Sequence, residues 1–223
     1  VRQAGEGEGV AQEVGAMKLE CVRGRDREYR DPALNEFYYS CSQILDVLDP
    51  GRFARAGEQT MELARIRGTD LHKYFFYALA QHGGFIRTIP AHIAVGFEGY
   101  IEAIHKFIRE YDPRPVLLEE SSRNRKDEVA GTPDTKSWIN REKNDHSAQM
   151  LAEIDLKTGA PERVHKTQHN IYIDLEEYRD CEQMRTLYIQ ADGTYKFPRV
   201  YKDPLERAAI LNGLNVLRWR EIA

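Results

Sequence analysis

The stretch Met150-Leu151-Ala152-Glu153-Ile154-Asp155-Leu156-Lys157 constrains this chain more than any other. Strand side chains alternate between faces, so Ala152, Ile154 and Leu156 would point into a core, while Glu153, Asp155 and Lys157 would share the opposite face. Thr158-Gly159-Ala160-Pro161 then reads as a turn. Two carboxylates and an ammonium on one strand face beside a turn suit a reactive site better than a packed core. The plainer alternative is an exposed ion pair of Asp155 with Lys157, which would contribute little.

Upstream lies Ala130-Gly131-Thr132-Pro133-Asp134. Gly131 permits close backbone approach, and Asp134 sits where a neighbouring strand would begin. If the two strands pair, Asp134 and Asp155 converge. Hard divalent cations such as Mg²⁺ take oxygen ligands of this kind, with water and substrate phosphate completing the shell.

Elsewhere the pattern alternates between helix and strand. Short strands are expected near Leu19–Val22 and Phe37–Tyr39. Ser40 is placed to cap a helix carrying Ile44, Leu45 and Leu48, ended by Asp49-Pro50-Gly51. A long helix is expected from Gln59 to Ala80, with a kink or fresh start after Gly68. Another runs from His92 to Tyr111, with Phe97, Ile101, Ile104 and Ile108 on one stripe. Strands follow at Val116–Leu118 and within Val129–Ile139, and the polar segment Asn140–Ala148 reads as a protruding hairpin tip. A helix is expected from Glu162 to Tyr178, then a hairpin of Arg185–Gln190 and Tyr195–Val200 around Ala191-Asp192-Gly193. Asp203-Pro204 opens a last helix. The fold class is therefore α/β, a central mixed sheet flanked by helices with a helical N-terminal part. The Gly- and Glu-rich residues 1–16 are expected to form a disordered tail, with Met17 a candidate natural start and residues 17–223 one domain.

With 223 residues, 41% hydrophobic and 30% charged, the composition is that of an ordinary globular chain. No apolar run is long enough to span a bilayer, and no signal peptide is read at the start, so the expectation is a cytoplasmic or nucleoid-associated protein with no membrane partner. The net charge of −4 does not favour nucleic acid, but binding depends on where charges sit. Cys21, Cys41 and Cys181 are far apart and form no CxxC pair, against a disulfide framework or structural zinc site. Arg123, Arg125 and Lys126 form a basic run that reads either as a solvated loop or as a phosphate contact.

Pro133-Asp134 followed by Asp155-Leu156-Lys157 resembles the signature of the PD-(D/E)XK nuclease superfamily. Two further pieces look like its RecB-type exonuclease branch: Gly68-Thr69-Asp70-Leu71-His72, similar to a helix-borne Gly-x-x-x-His element, and Gln168-His169-Asn170-Ile171-Tyr172, similar to a Gln-x-x-x-Tyr element. Four residues apart on a helix, Gln168 and Tyr172 would face one cleft. The resemblance implies a restriction-endonuclease-like core and a catalytic set of Asp134, Asp155 and Lys157. It implies Mg²⁺ or Mn²⁺ held by His72, Asp134, Asp155 and the Leu156 carbonyl. Glu120, Glu153, Gln168 and Tyr172 are additional site candidates, Glu119 an alternative to Glu120, and Arg123, Arg125 and Lys126 candidate DNA contacts. With three cysteines, none suitably placed, no iron–sulfur cluster is expected. The implied activity is metal-dependent DNA exonuclease action in replication, recombination or repair, on single-stranded or duplex ends, with a helicase or recombination protein as a separate partner. Alternatives are a structure-specific or restriction-like endonuclease, an inactive nucleic-acid-binding module, or an enzyme acting on RNA.

Overall fold

The computed structural model describes residues 20–22, 28–51, 58–90 and 95–222; the expected tail and Met17 lie outside them. The elements in order are β1 (Glu20–Val22), β2 (Glu28–Asp31), β3 (Glu36–Ser40), α1 (Cys41–Leu48), α2 (Glu58–His82), α3 (Glu98–Tyr111), β4 (Arg114–Leu118), β5 (Ser122–Asn124), β6 (Val129–Gly131), β7 (Thr135–Glu142), β8 (Asp145–Lys157), α4 (Arg163–Tyr172), β9 (Gln183–Ile189), β10 (Tyr195–Lys196), β11 (Arg199–Val200) and α5 (Pro204–Ile222). A single 3₁₀ turn, Glu176–Tyr178, follows α4.

The larger sheet has the order β10-β9-β8-β7-β4, with β11 also on β9. β7 is antiparallel to both of its neighbours, β4 and β8, and α4 carries the chain from β8 to a parallel β9. One face of this sheet lies under α2 and α3. Leu71, Phe75 and Leu79 of α2 and Ile104 and Phe107 of α3 close over Ala152, Ile154 and Leu156. The other face meets α4, and α1 and α5 stack outside it through Ile44, Leu45, Ile210 and Leu214. The expected alternation along β8 is therefore present, but both faces are covered, and Glu153 and Asp155 are as buried as the apolar residues between them.

A second sheet, β1-β2-β3-β6-β5, was not anticipated. It makes the fold two mixed sheets, not one, and gives the N-terminal part three strands before its first described helix. Its strands are three to five residues long, too short for alternation to show in the sequence. Arg123 lies inside this unit. It pairs with Asp31 and Glu176 and stacks on Tyr38, which removes it from the exposed basic run.

Ser40 caps α1 as expected, in a reciprocal pair with Gln43. α2 passes through Gly68 unbroken; a glycine there costs about 1 kcal/mol against alanine without forcing a break. α3 begins at Glu98, later than the stripe suggested, because Gly96 adopts φ +85° and cannot continue a right-handed helix. α4 stops at Tyr172, because extended backbone at Leu175 turns Leu175 and Tyr178 into the core. The polar segment is the tip of the β7–β8 hairpin, turning at Asn144 with φ 59°. Among the described residues no helix is long and apolar enough to cross a membrane.

Candidate active site

Thr135 of β7 pairs with Ile154 of β8 at the end of the ladder. One residue before Thr135, the Asp134 side chain substitutes for the next ladder carbonyl: its Oδ2 accepts the Leu156 backbone N–H at 2.6 Å. That bond holds Asp134 against the strand carrying Asp155 and Lys157. The Asp134 carbonyl in turn accepts the Glu119 N–H at 2.9 Å, tying the end of β4 to the same point.

The two helical layers meet at this strand end. From α2, His72 Nδ1 lies 3.1 Å from Asp134 Oδ1. From α4, the Gln168 amide donates to Tyr172 Oη at 2.8 Å and, more weakly, to Asp155 Oδ1 at 3.4 Å. The Lys157 ammonium pairs with Asp155 Oδ2. Thus His72, Asp134, Asp155, Lys157, Gln168 and Tyr172, spread over 101 positions of sequence from 72 to 172, form one connected cluster. Gly131 makes room for it: a Cβ there would stand 2.7 Å from Tyr172 Cε1.

The electrostatics follow from burial and pairing. Burial pulls the His72 imidazole down, but the Asp134 charge and hydrogen bond outweigh it and leave its pKa raised. Burial pushes the Asp134 carboxyl up, but His72, Lys157 and the Leu156 N–H together leave it below its ordinary value. The Lys157 amine, opposed by burial, is raised by Asp155 and Asp134 and is held as an ammonium. Burial, with nearby negative charge, takes the Tyr172 phenol well above its ordinary value.

Glu153 stands apart from this cluster. It is fully buried and pairs with His169 Nδ1, whose Nε2 lies 2.7 Å from Thr186 Oγ1 on β9. A candidate ligand in the sequence is thus a buried partner of a histidine that the sequence reading left without a role. Glu120 is exposed at the end of β4, and its charge is felt by Tyr178. Its neighbour Glu119, exposed at its surface as well, is the one tied to the site: partial desolvation and the Asp134 charge raise its carboxyl. Arg125 and Lys126 are exposed in the β5–β6 turn. His169 went unread because its role depends on which side of α4 faces the sheet, and a ten-residue helix with polar residues all round does not disclose that.

The donors suit a hard cation by chemistry: two carboxylates, a strand carbonyl and an imidazole. Among the described residues no group of three or more His, Cys, Asp and Glu is already arranged around one point, since His72 and Lys157 meet the two carboxylates themselves. A cation bound here would take over contacts that these two side chains now make.

The class defined by this fold is α/β: β4, β7 and β8 antiparallel, then α4, then parallel β9, an arrangement consistent with the restriction-endonuclease-like core. No family model matches the sequence, and no curated protein does. Among solved structures, the chain is similar to an alkaline exonuclease, LHK-Exo, from Laribacter hongkongensis, with 12% identity, a TM-score of 0.44, and coverage of 82% of this chain and 87% of that one. It is also similar to the protein SSO0001, with 17% identity, a TM-score of 0.42, and coverage of 79% and 72%. Likenesses this distant carry no weight on chemistry, which rests on the side chains of the site.

Proposed function

We propose that this chain is a metal-dependent nuclease that hydrolyses DNA phosphodiester bonds, acting as an exonuclease on strand ends. The observation that supports it is the junction at the end of β8. Asp134, one residue before β7, accepts the N–H of Leu156, the neighbour of Asp155 on β8, and an ammonium stands two residues beyond the second carboxylate.

Asp134 and Asp155 would hold Mg²⁺ or Mn²⁺, with His72 and the Leu156 carbonyl as further ligands. When bound, the ion polarises the scissile phosphate and lowers the pKa of its water. As a ligand His72 would be neutral, so metal binding there competes with the proton that Asp134 favours on the ring. The Lys157 ammonium would offset charge gathering on the phosphate oxygens. Gln168, bonded to Asp155 and Tyr172, fixes the second carboxylate. Arg125 and Lys126 are exposed candidates for backbone contacts.

The test is cleavage of end-labelled linear and closed circular DNA, single- and double-stranded, with Mg²⁺, Mn²⁺ or a chelator. Metal-dependent loss of linear DNA with circles intact is expected, and it should vanish in Asp155→Asn with the circular dichroism spectrum unchanged. Cut circles would point to the endonuclease reading, and full activity in Asp155→Asn would remove the assignment.

A further inference from the structure

Beyond the cluster at β8, one row of side chains crosses the sheet from the same point. Lys157 of β8 is in register with Tyr188 of β9, and Tyr188 with Lys196 of β10. Neighbouring strands lie about 4.8 Å apart, which puts the two lysine backbones roughly 10 Å from one another. The row lies on the α4 face. Tyr188 Oη is 3.0 Å from His165 Nδ1 of α4, while Tyr195 and Phe197, on either side of Lys196, both pack against Phe107 of α3 on the opposite face. Alternation therefore turns Lys196 to the same side as Lys157.

The surrounding charges leave Lys196 available. Among the described residues, Lys166 pairs with Asp203, Arg163 is 3.6 Å from Glu206, and Lys143 is 3.1 Å from Glu110. Lys196 is exposed, and no ion pair is seen for it among those residues. Glu162, whose charge reaches Tyr188, stands at the start of α4, and no ion pair joins it to Lys196 among the described residues. Tyr188 between the lysines is 4% exposed, a neutral floor.

We infer that Lys196 is a second phosphate subsite, holding the nucleic-acid backbone beside the phosphate that meets Lys157. The inference rests on the nuclease reading for its orientation. The competing role for an exposed lysine on an edge strand is to discourage strand pairing between molecules, and such a lysine would not affect oligonucleotide affinity.

The experiment measures binding and cleavage separately. Binding of a fluorescent single-stranded oligonucleotide is followed by anisotropy with chelator present, over a range of NaCl, for the wild-type chain, Lys196→Ala, Lys196→Glu and Lys106→Ala. The last removes an equal charge from α3, on the other side of the sheet. Lys196→Ala should weaken binding several-fold and flatten the slope of log affinity against log salt by about 0.7, the value for one lost single-strand phosphate contact. Lys196→Glu should weaken it further, and Lys106→Ala should change neither. With metal, Lys196→Ala should raise KM and leave kcat unchanged. An unaltered slope in Lys196→Ala, an equal effect in Lys106→Ala, or no oligonucleotide binding by the wild-type chain would each overturn the subsite. If the wild-type chain binds with the expected Lys196 dependence but cleaves nothing, the nuclease reading fails and the subsite stands. If it cleaves with Lys196→Ala indistinguishable, the reverse holds. Matching melting curves for all four proteins exclude misfolding as the cause.

Discussion

Asp134 occupies the position of a ladder carbonyl: its Oδ2 takes the Leu156 N–H at 2.6 Å while Oδ1 faces His72. One side chain thereby stands at the end of the β7–β8 ladder and is held against the strand that carries Asp155. Asp134→Ala removes the acceptor for that N–H and the partner of His72. It should cost about 1–3 kcal/mol, the penalty for leaving a buried donor unsatisfied, and abolish cleavage. Asp134→Asn retains an acceptor oxygen and should recover most of the stability with none of the activity. Chemical denaturation and the end-label assay together check this.

The Asp155–Lys157 pair is nearly enclosed, with 3% and 18% of the side chains exposed. Removing only the lysine strands a buried carboxylate. Lys157→Met should therefore cost about 3 kcal/mol, the low end for breaking such a pair because the ammonium reaches some solvent. Lys157→Met combined with Asp155→Asn removes both charges and should be the more stable of the two, and on the proposed nuclease reading neither should cleave. Additive losses in a double-mutant cycle would show that the ions do not interact.

Glu153 and His169 give a pH dependence whose sign can be worked out. Burial pulls the His169 pKa down but Glu153 outweighs it, leaving it above 6.5; burial raises the Glu153 carboxyl above 4.5, with His169 opposing. Both groups hold protons more tightly folded than unfolded. The stability they contribute is complete below the unfolded values and is lost as pH rises through the folded ones. In the metal-free protein, wild-type Tm minus the Tm of Glu153→Gln/His169→Gln should fall as pH rises from 4.5 to well above 6.5. His72 shifts in the same direction but is present in both proteins and cancels. A flat difference across that range would contradict the pairing.

The sequence made the α/β class legible, and also the nearness of the candidate residues to one another. Asp134, Asp155 and Lys157 could be found because strand alternation and a turn restrict where acidic residues can stand, and Gln168 and Tyr172 because a four-residue helical spacing shares a face. The structure gathers all five with His72. Long-range pairing was not readable. Arg123 looks like part of a surface run until Asp31, 92 positions away, meets it inside the second sheet. Glu153 reads as a site candidate in the sequence, and the structure pairs it with His169, which in turn contacts Thr186. Neither partner is marked by local pattern, because a single buried polar contact leaves no periodicity. The second sheet was missed for a related reason: Ala130 and Val129 pair with Ser40 and Tyr39 in parallel, a contact made by topology across 90 residues.

Gly131 gives a prediction that links packing to chemistry. Its absent Cβ is what lets the Tyr172 ring lie over the β6 backbone, with Leu175 Cδ1 at 3.7 Å from the same point. In Gly131→Ala the added methyl would meet Tyr172 Cε1 at 2.7 Å and Cδ1 at 3.3 Å, contacts the buried ring cannot avoid without shifting. Overpacking of this kind costs about 1–3 kcal/mol. The displacement also moves Tyr172 Oη away from Gln168, which then loses its hold beside Asp155. On the proposed nuclease reading, cleavage should fall in Gly131→Ala mainly through kcat, since the side chains proposed to meet phosphate are untouched. Tyr172→Phe, which keeps the ring and removes only the Gln168 acceptor, should reproduce part of the kcat loss at near-wild-type Tm. If Gly131→Ala melts normally and cleaves at the wild-type rate, the ring does not lie over β6 and the α4 side of the site must be redrawn.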